Sequence, residues 1–102
     1  MKIPKSFELF GQTIKVVWDN DGLNKAELYA QAVLRDNVIK LSDECIIDGK
    51  CQKLQKDKIN ANFLHEVIHF ILSLMEDEKG DDEQFVTRIA ELLYQFQKTA
   101  KY

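Results

Sequence analysis

The chain has 102 residues, of which 45% are hydrophobic and 30% are charged, and its formal net charge is −3. This length fits one domain, and this composition is ordinary for a globular protein, which argues against intrinsic disorder. The small negative charge argues against a nucleic-acid-binding surface. We therefore expect a single domain over residues 1–102 without a nucleic-acid partner.

No segment has the pattern of a targeting or membrane-spanning sequence. The longest apolar stretch, Val67 to Met75, is interrupted by His69 and Ser73 and is too short to cross a bilayer. The N-terminal residues contain no apolar run of the kind found in secretory signals. We expect a cytoplasmic protein without a membrane partner, and nothing in the sequence indicates its oligomeric state.

Alternating apolar and polar residues predict β-strands in the first part of the chain. Phe7 to Leu9 and Ile14 to Trp18 alternate in this way, and Gly11-Gln12 is the predicted turn between them. The polar segment from Asp19 to Lys25, with one Gly and two Asn, is predicted to be a loop.

The same reasoning predicts two further strands. Tyr29 to Leu34 and Val38 to Leu41 are strand-like, and the segment Arg35-Asp36-Asn37 between them tolerates a tight turn. Residues Ser42 to Lys53 are predicted to be irregular.

The two cysteines, Cys45 and Cys51, lie close together in the chain. Because disulfides are rare in the cytosol, we interpret both as reduced structural residues. A second metal site would need four ligands, and the chain contains no C-x-x-C motif. The role of the two cysteines remains open at this stage.

The pattern changes to helical in the second half. Glu66 is the only charged residue among the apolar positions from Ile59 to Met75, which predicts a helix buried on most of its circumference. Gly80 interrupts the acidic stretch that follows, and Asp81 with Gln84 three residues later resembles a capping box beginning a second helix. That helix has an apolar stripe of Phe85, Ile89, Leu92, Leu93 and Phe96. Strands followed by two helices predict an α+β fold.

The first predicted helix carries the motif His65-Glu66-Val67-Ile68-His69. Residues four apart lie on one face of a helix, so His65 and His69 can offer imidazole nitrogens to one metal ion. Glu66 lies about 100° around the helix from His65, where its carboxylate can accept a proton from a zinc-activated water without being a ligand. The motif therefore predicts a catalytic zinc site.

The surroundings of the motif favour this interpretation over two ordinary hydrogen-bonded histidines. Chance matches to H-E-x-x-H occur in unrelated proteins. Here, however, polar residues form one stripe on an otherwise apolar helix, and the stripe carries metal-ligand residue types instead of several lysines and glutamates. The stripe consists of Asn62, His65, Glu66, His69, Ser73 and Glu76. We expect it to form the floor of a cleft.

A catalytic zinc ion usually has three protein ligands, and the chain has no third histidine. A carboxylate must complete the set. Glu83 begins the second predicted helix, where an acid also favours the helix dipole without any metal. Glu91 would lie opposite His69 if the two helices formed a symmetric hairpin about Gly80. We favour Glu83 as the ligand and keep Glu91 as the alternative.

Two segments of the chain resemble known metallopeptidases. The segment from Phe63 to Leu72 and the pattern Glu83-x-x-Val86-x-Arg88-Ile89-Ala90 resemble the small phage and prophage zincin-like metallopeptidases. They are more distantly similar to the ImmA/IrrE family, whose second motif, Glu-x-x-Ala-x-x-Phe-Ala, is echoed from Glu83 to Ala90. The similarity covers residues 60–96, and Val86 departs from the alanine of the distant relatives.

This resemblance implies a fold, a cofactor and a reaction. The fold would be minimal and zincin-like: a small, mostly antiparallel sheet of about four strands, then the motif helix and a second C-terminal helix. The family's roles would make His65, His69 and Glu83 the zinc ligands and Glu66 the catalytic base. The chain would then be a zinc metallopeptidase, phage- or prophage-encoded, that hydrolyses a protein or peptide substrate.

An alternative from a different class is a binding or regulatory protein of a mobile element in which zinc only stabilises the fold. Such a site needs His65 and His69 but not the base, so the presence of Glu66 favours catalysis. A metal-free interaction domain would require the two histidines to be a coincidence. The substrate is not indicated by any sequence feature.

Three other side chains are weaker candidates for the site. Tyr94 could donate a hydrogen bond to a reaction intermediate, although a tyrosine near the end of an amphipathic helix is more often a packing residue. Tyr29 and Arg35 could line a cleft, but their spacing does not predict it.

Overall fold

The computed structural model describes residues 2–102, which form a four-stranded sheet, a two-stranded hairpin and three α-helices. The strands are β1 (Ser6–Leu9), β2 (Gln12–Trp18), β3 (Ala30–Val33), β4 (Val38–Leu41), β5 (Glu44–Ile47) and β6 (Lys50–Lys53). The helices are α1 (Asn20–Lys25), α2 (Lys56–Leu74) and α3 (Glu83–Thr99). The predicted α+β class, with a C-terminal helix after the motif helix, is confirmed.

The four-stranded sheet has the order β1-β2-β4-β3. Two of its neighbouring pairs, β1–β2 and β3–β4, are antiparallel, whereas β2 and β4 are parallel. The sheet is therefore mostly antiparallel, as predicted. β3 forms one edge of the sheet, and α2 packs against β3 and β4.

The turn between β1 and β2 lies one residue earlier than predicted. Phe10 and Gly11 are its two central residues, with φ angles of 50° and 74°, and Leu9 pairs with Gln12. Type I′ turns, which suit the normal twist of a hairpin, have positive φ at both central residues. Gln12 therefore begins β2 and does not belong to the turn.

The predicted loop from Asp19 to Lys25 contains the short helix α1. The Asp19 carboxylate accepts a hydrogen bond from the Gly22 backbone amide at 3.0 Å, which caps the first turn. Leu23 is 1% exposed, so burial of its side chain stabilises the helix. The loop prediction was wrong because it was based on the polar composition of the segment, whereas the Asp19 cap and the buried Leu23 side chain stabilise a helix.

The segment predicted to be irregular, Ser42 to Lys53, forms the β5–β6 hairpin. Asp48 and Gly49 are the central residues of its turn, with φ angles of 52° and 75°. An Asp-Gly pair between strand-like residues is a strong hairpin signal. The prediction of an irregular segment was therefore wrong.

The two cysteines lie on opposite faces of this hairpin. Cys45 is paired with Gln52 and Cys51 with Ile46, and neighbouring residues of a strand point to opposite sides. Both are free thiols; Cys45 is buried and Cys51 is exposed. A hydrogen bond to the Glu44 carboxylate raises the pKa of Cys51. Neither thiol belongs to the candidate metal-binding group found among the described residues.

The hydrophobic core lies between the four-stranded sheet, α2 and the first half of α3. Every residue of α2 from Ile59 to Leu72 is buried or half-buried, so the predicted burial of this helix is confirmed. The buried core residues are Ile14, Ile39, Leu41, Phe63, Leu64, Ile68, Phe70, Leu72, Val86 and Ala90. Within the described residues, no helix is long and apolar enough to cross a membrane.

Helix α3 begins one residue later than the predicted capping box implied. The carboxylate of Asp82, and not that of Asp81, accepts a hydrogen bond from the Phe85 amide at 3.0 Å. Asp81 instead ends a short 3-10 helix, Glu78–Asp81, which precedes the cap. Glu83 is consequently the first residue of α3.

The predicted apolar stripe of α3 is only partly buried. Of its members, Phe85 and Ile89 are half-buried, and Leu92 and Phe96 are 67% and 63% exposed. The fully buried residues of α3 are Val86 and Ala90, at 0% and 2% exposure, which the predicted stripe did not include. The helix packs chiefly against α2. Its apolar face is wider than the surface that α2 covers, so part of this face is exposed to solvent.

Candidate metal centre

Two histidines of α2 and one carboxylate of α3 converge at the floor of a cleft. The Nε2 atom of His65 lies 2.8 Å from Oε2 of Glu83, and the Nε2 atom of His69 lies 2.9 Å from Oε1 of the same carboxylate. The two Nε2 atoms are 3.1 Å apart. These three side chains form a group whose ligand atoms all lie within 4.8 Å of one another, so they could hold a metal ion.

The end of α2 and the short 3-10 helix bring Glu83 to the histidines. Glu76 adopts a left-handed conformation with φ 54°, and the Asp77 amide donates to the Leu72 carbonyl at 2.9 Å, which closes the end of α2. The chain then reverses through the 3-10 helix, and the Asp82 cap begins α3. The first turn of α3 therefore lies over the middle of α2.

The second ring nitrogen of each histidine also has a partner. His69 donates its Nδ1 hydrogen to the carbonyl oxygen of Gly80 at 2.9 Å. A carbonyl can only accept, so neutral His69 must carry its proton on Nδ1 and leave Nε2 as a bare lone pair. The Nδ1 atom of His65 lies 3.3 Å from the hydroxyl oxygen of Thr87. Partners of this kind orient the imidazoles of metal sites.

The group formed by His65, His69 and Glu83 has more acceptor atoms than protons, which suits a cation. When both imidazoles are neutral, the 2.9 Å contact between His69 Nε2 and Glu83 Oε1 joins two acceptors, because the His69 proton is on Nδ1. One proton on His65 Nε2 cannot satisfy all three close contacts of the group. A cation accepts a lone pair from every member at once. In a tetrahedral metal site with bonds of about 2.0–2.1 Å, the ligand atoms are roughly 3.3 Å apart, so this donor set could hold a metal ion.

Glu66 lies beside the group without belonging to it. Its side chain is buried, and its Oε2 atom is 4.0 Å from His65 Nε2. Burial raises the pKa of Glu66 above its ordinary value, and the neighbouring His65 and His69 and a backbone hydrogen bond from Ala32 oppose this rise. The carboxylate therefore lies next to the candidate ligand group without being a member of it.

A cleft of about 770 Å³ opens above the histidines. The edge strand β3 forms one wall through Ala30, Gln31 and Ala32, and α2 and the first half of α3 form most of the others. The segments that flank β3 and the segment between α2 and α3 complete the lining. Of the predicted polar stripe, Asn62, His65, Glu66, His69 and Ser73 line this cleft. Glu76 does not, because it lies beyond the end of α2 in the turn that reverses the chain.

The structure places Glu83, and not Glu91, against the histidines. Glu91 also lines the cleft, but among the described residues it is not part of the convergent group. The symmetric hairpin that would have favoured Glu91 does not form, because the 3-10 helix intervenes and α3 starts at Glu83.

The weaker candidates are distributed differently. Tyr29 lines the cleft, whereas Arg35 is exposed and forms an ion pair with Asp36 at 3.7 Å. The Tyr94 hydroxyl donates to the Asp57 carboxylate at 2.6 Å, so it connects α3 to the start of α2 away from the ligand group. Tyr94 is therefore a structural residue, as its position in an amphipathic helix favoured.

Sequence reasoning missed three partners of the site: Gly80, Thr87 and Ala32. Thr87 could have been found, because it lies four residues after Glu83 and hence on the same face of α3. The other two act through backbone atoms, a carbonyl of Gly80 and a hydrogen bond from Ala32. No side-chain pattern identifies such contributions.

Known proteins add nothing to these observations. Comparisons of the chain with protein-family models, with curated proteins and with solved structures found no match.

Proposed function

We propose that this protein is a zinc-dependent metallopeptidase that hydrolyses a peptide bond in the cleft above α2. The observation that carries the proposal is the convergence of His65, His69 and Glu83 beside Glu66, a buried carboxylate that is not a member of the ligand group. A metal-binding group next to a separate base, open to a cleft, is the arrangement that hydrolysis by an activated water requires.

Each residue has a distinct role in this proposal. His65, His69 and Glu83 would hold the zinc ion and leave one coordination position open. When bound, zinc would lower the pKa of a coordinated water and polarise a carbonyl group. Glu66 accepts the proton of the attacking water and returns it to the leaving amine. Its backbone hydrogen bond from Ala32 keeps the carboxylate oriented toward the cleft.

The edge strand supports a peptide as the substrate. β3 pairs with β4 on one side only, and its residues form a wall of the cleft. An extended peptide can bind such an edge through main-chain hydrogen bonds, as an added strand. Those bonds would hold the scissile bond alongside β3 at the level of Glu66, independently of most side chains of the substrate.

The resemblance of the H-E-x-x-H segment and of the Glu83 segment to zincin-like metallopeptidases supports the same reaction. A phage or prophage origin and a cytoplasmic location are part of this proposal. The phage or prophage origin is supported by that resemblance.

A zinc ion that only stabilises the fold is the second candidate, and one observation favours it. The ligands join the middle of α2 to the first turn of α3, so any bound ion would hold the two helices together. Glu66 argues against this role. Burial raises its pKa, so the ionised carboxylate costs stability, and a purely structural site would gain nothing from keeping it.

Metal content and hydrolysis test the proposal together. Protein purified without chelators or a metal-affinity column should contain about one zinc ion per chain by elemental analysis. The zinc-loaded protein should then cleave a fluorescence-quenched casein substrate, and Glu66→Gln should keep the zinc while losing about 10²–10⁴ in rate. Absence of zinc from both the purified and the zinc-reconstituted protein would contradict the metal site. Equal cleavage by Glu66→Gln would contradict the role of the base.

A further inference from the structure

We infer that Thr87 is a positioning residue that keeps His65 hydrogen-bonded in both of its neutral tautomers, one for the metal-free site and one for the metal-bound site. The metal-bound half of this inference rests on the proposed function. The Nδ1 partners of the two histidines differ in chemistry. His69 contacts the carbonyl oxygen of Gly80, whereas His65 contacts the hydroxyl group of Thr87.

The packing of α3 holds Thr87 in position. Its hydroxyl oxygen lies 3.3 Å from Nδ1 of His65. Its neighbour Val86 is fully buried, and Ala90, one turn later, is 2% exposed, so this part of α3 is fixed against α2. Thr87 also lies one turn after Glu83, so one face of α3 supplies both a ligand candidate and this hydroxyl.

The carbonyl of Gly80 and the hydroxyl of Thr87 impose different constraints. A carbonyl oxygen only accepts, so it holds His69 in one neutral tautomer, with the proton on Nδ1. A hydroxyl can accept from an N–H group or donate to a bare nitrogen. His65 can therefore place its proton on either ring nitrogen and still have a partner at Nδ1.

Without metal, the close contacts favour the proton on Nε2 of His65. That atom lies 2.8 Å from Glu83 Oε2 and 3.1 Å from the bare Nε2 of His69, and both of these are acceptors. A proton on Nε2 serves them, whereas its absence would leave three acceptors facing one another. Nδ1 of His65 is then bare, and the Thr87 hydroxyl donates to it.

With metal, the requirement is reversed. Nε2 of His65 must offer its lone pair to the ion, so the proton of the neutral ring is on Nδ1 and is donated to the Thr87 oxygen. Solvent removes one proton from Nε2 and supplies one to Nδ1. His65 therefore carries one proton in both states, and the hydroxyl changes from donor to acceptor without breaking its hydrogen bond.

Three variants test the role of the hydroxyl by zinc titration against a chromogenic chelator. Thr87→Val has the same shape but no hydroxyl, and it should weaken zinc binding by about 10–100-fold, since the metal-bound ring then has an unpaired Nδ1 hydrogen. Thr87→Ser should restore the affinity. Thr99→Val is the matched control, because the Thr99 hydroxyl donates to the Gln95 carbonyl at 2.8 Å near the end of α3.

The histidine tautomers can be measured directly by ¹⁵N NMR of the imidazole nitrogens, because the chain contains two histidines. The metal-free wild-type protein should show His65 protonated on Nε2 and His69 on Nδ1. Zinc should move the His65 proton to Nδ1 and leave the His69 tautomer unchanged. A His65 tautomer that is the same with and without zinc would overturn the inference, as would wild-type zinc affinity in Thr87→Val.

These measurements separate the inference from the proposed function, because none of them requires peptidase activity. Failure of the wild-type protein to bind zinc would overturn the proposed function and, with it, the metal-bound half of the inference. Zinc binding with an unchanged His65 tautomer would overturn the inference alone. The wild-type NMR measurement decides the point even if Thr87→Val does not fold.

Discussion

The Oε2 atom of Glu83 lies 2.8 Å from the Nε2 atom of His65, although the two residues are 18 positions apart in the chain. This contact joins the first turn of α3 to the middle of α2, so docking of α3 and formation of the ligand group depend on each other. A metal ion bound there would stabilise the packing of the two helices, and a disturbed helix start would weaken the site. Both consequences can be measured.

We expect Glu83→Gln to lose tight zinc binding, because the carboxylate ligand would be removed and only the two imidazoles would remain as ligands. Glu91→Gln should bind zinc as the wild-type protein does, because Glu91 lines the cleft outside the ligand group. Parallel zinc titrations of the two variants measure this difference. Thermal melts of the metal-free proteins are the control for folding, since loss of a first-turn acid costs only about 0.3–1 kcal/mol. Zinc loss in Glu91→Gln alone would mean that the third ligand is Glu91.

Zinc should stabilise the wild-type fold, because the ligand group exists only when α3 is docked on α2. Binding to the native state alone adds about 2.7 kcal/mol when the free zinc concentration is about 100 times Kd. The double variant His65→Ala and His69→Ala should show no such gain. Denaturant unfolding with zinc and with a chelator measures the effect, and an equal zinc-dependent gain in the double variant would place the ion elsewhere.

Metal-free Glu66→Gln should melt at a higher temperature than the metal-free wild-type protein at pH 7. Burial raises the pKa of Glu66 on folding, so its contribution to stability is complete below the unfolded-state pKa and is lost as the pH rises through the folded-state pKa. Above the unfolded-state pKa, ionisation of this carboxyl group therefore opposes folding, and the neutral amide carries no such penalty. The difference in melting temperature should shrink below about pH 4.

Glu91→Gln is the matched control for this experiment, because Glu91 is an exposed acid of the same cleft and its replacement should leave the melting temperature nearly unchanged. A lower melting temperature for Glu66→Gln at pH 7 would contradict the expectation. It would mean that the ionised carboxylate stabilises the metal-free site.

Asp57 should contribute to stability at neutral pH and lose that contribution in acid. Hydrogen bonds from Lys98, at 2.7 Å, and from Tyr94, at 2.6 Å, lower the pKa of its carboxyl group. A carboxyl with a lowered folded-state pKa stabilises the fold above its unfolded-state pKa, and this stabilisation is lost as the pH falls through the folded-state pKa. The free energies of unfolding of the wild-type protein and Asp57→Asn should therefore differ at pH 7 and converge below about pH 4.

Urea unfolding over this pH range measures the effect, and Glu8→Gln, an exposed acid of β1, is the control for a change of net charge. A difference between the wild-type protein and Asp57→Asn that persists unchanged in acid would show that the carboxylate charge has no part in joining α3 to α2.

Features that depend on neighbours along one element could be predicted from the sequence alone. The four-residue spacing of His65 and His69 on a helix places both rings on one face whatever surrounds it. The apolar run from Ile59 to Met75 required a buried helix, and alternation identified most of the sheet strands. Errors of one residue, at Gly11 and at Asp81, arose where a turn or a cap decides between adjacent positions of similar type.

The choice of the acid that contacts the histidines depends on how α3 packs against α2. Glu83 and Glu91 are both on α3, and no local pattern sets the angle at which that helix returns over α2. The left-handed Glu76 and the 3-10 helix that follows set this angle, through backbone geometry without a side-chain signature. The same angle determines which groups lie against the second nitrogen of each imidazole. The sequence could therefore name the ligand types, whereas three-dimensional packing selected the third ligand candidate and gave His65 a hydroxyl at its second nitrogen.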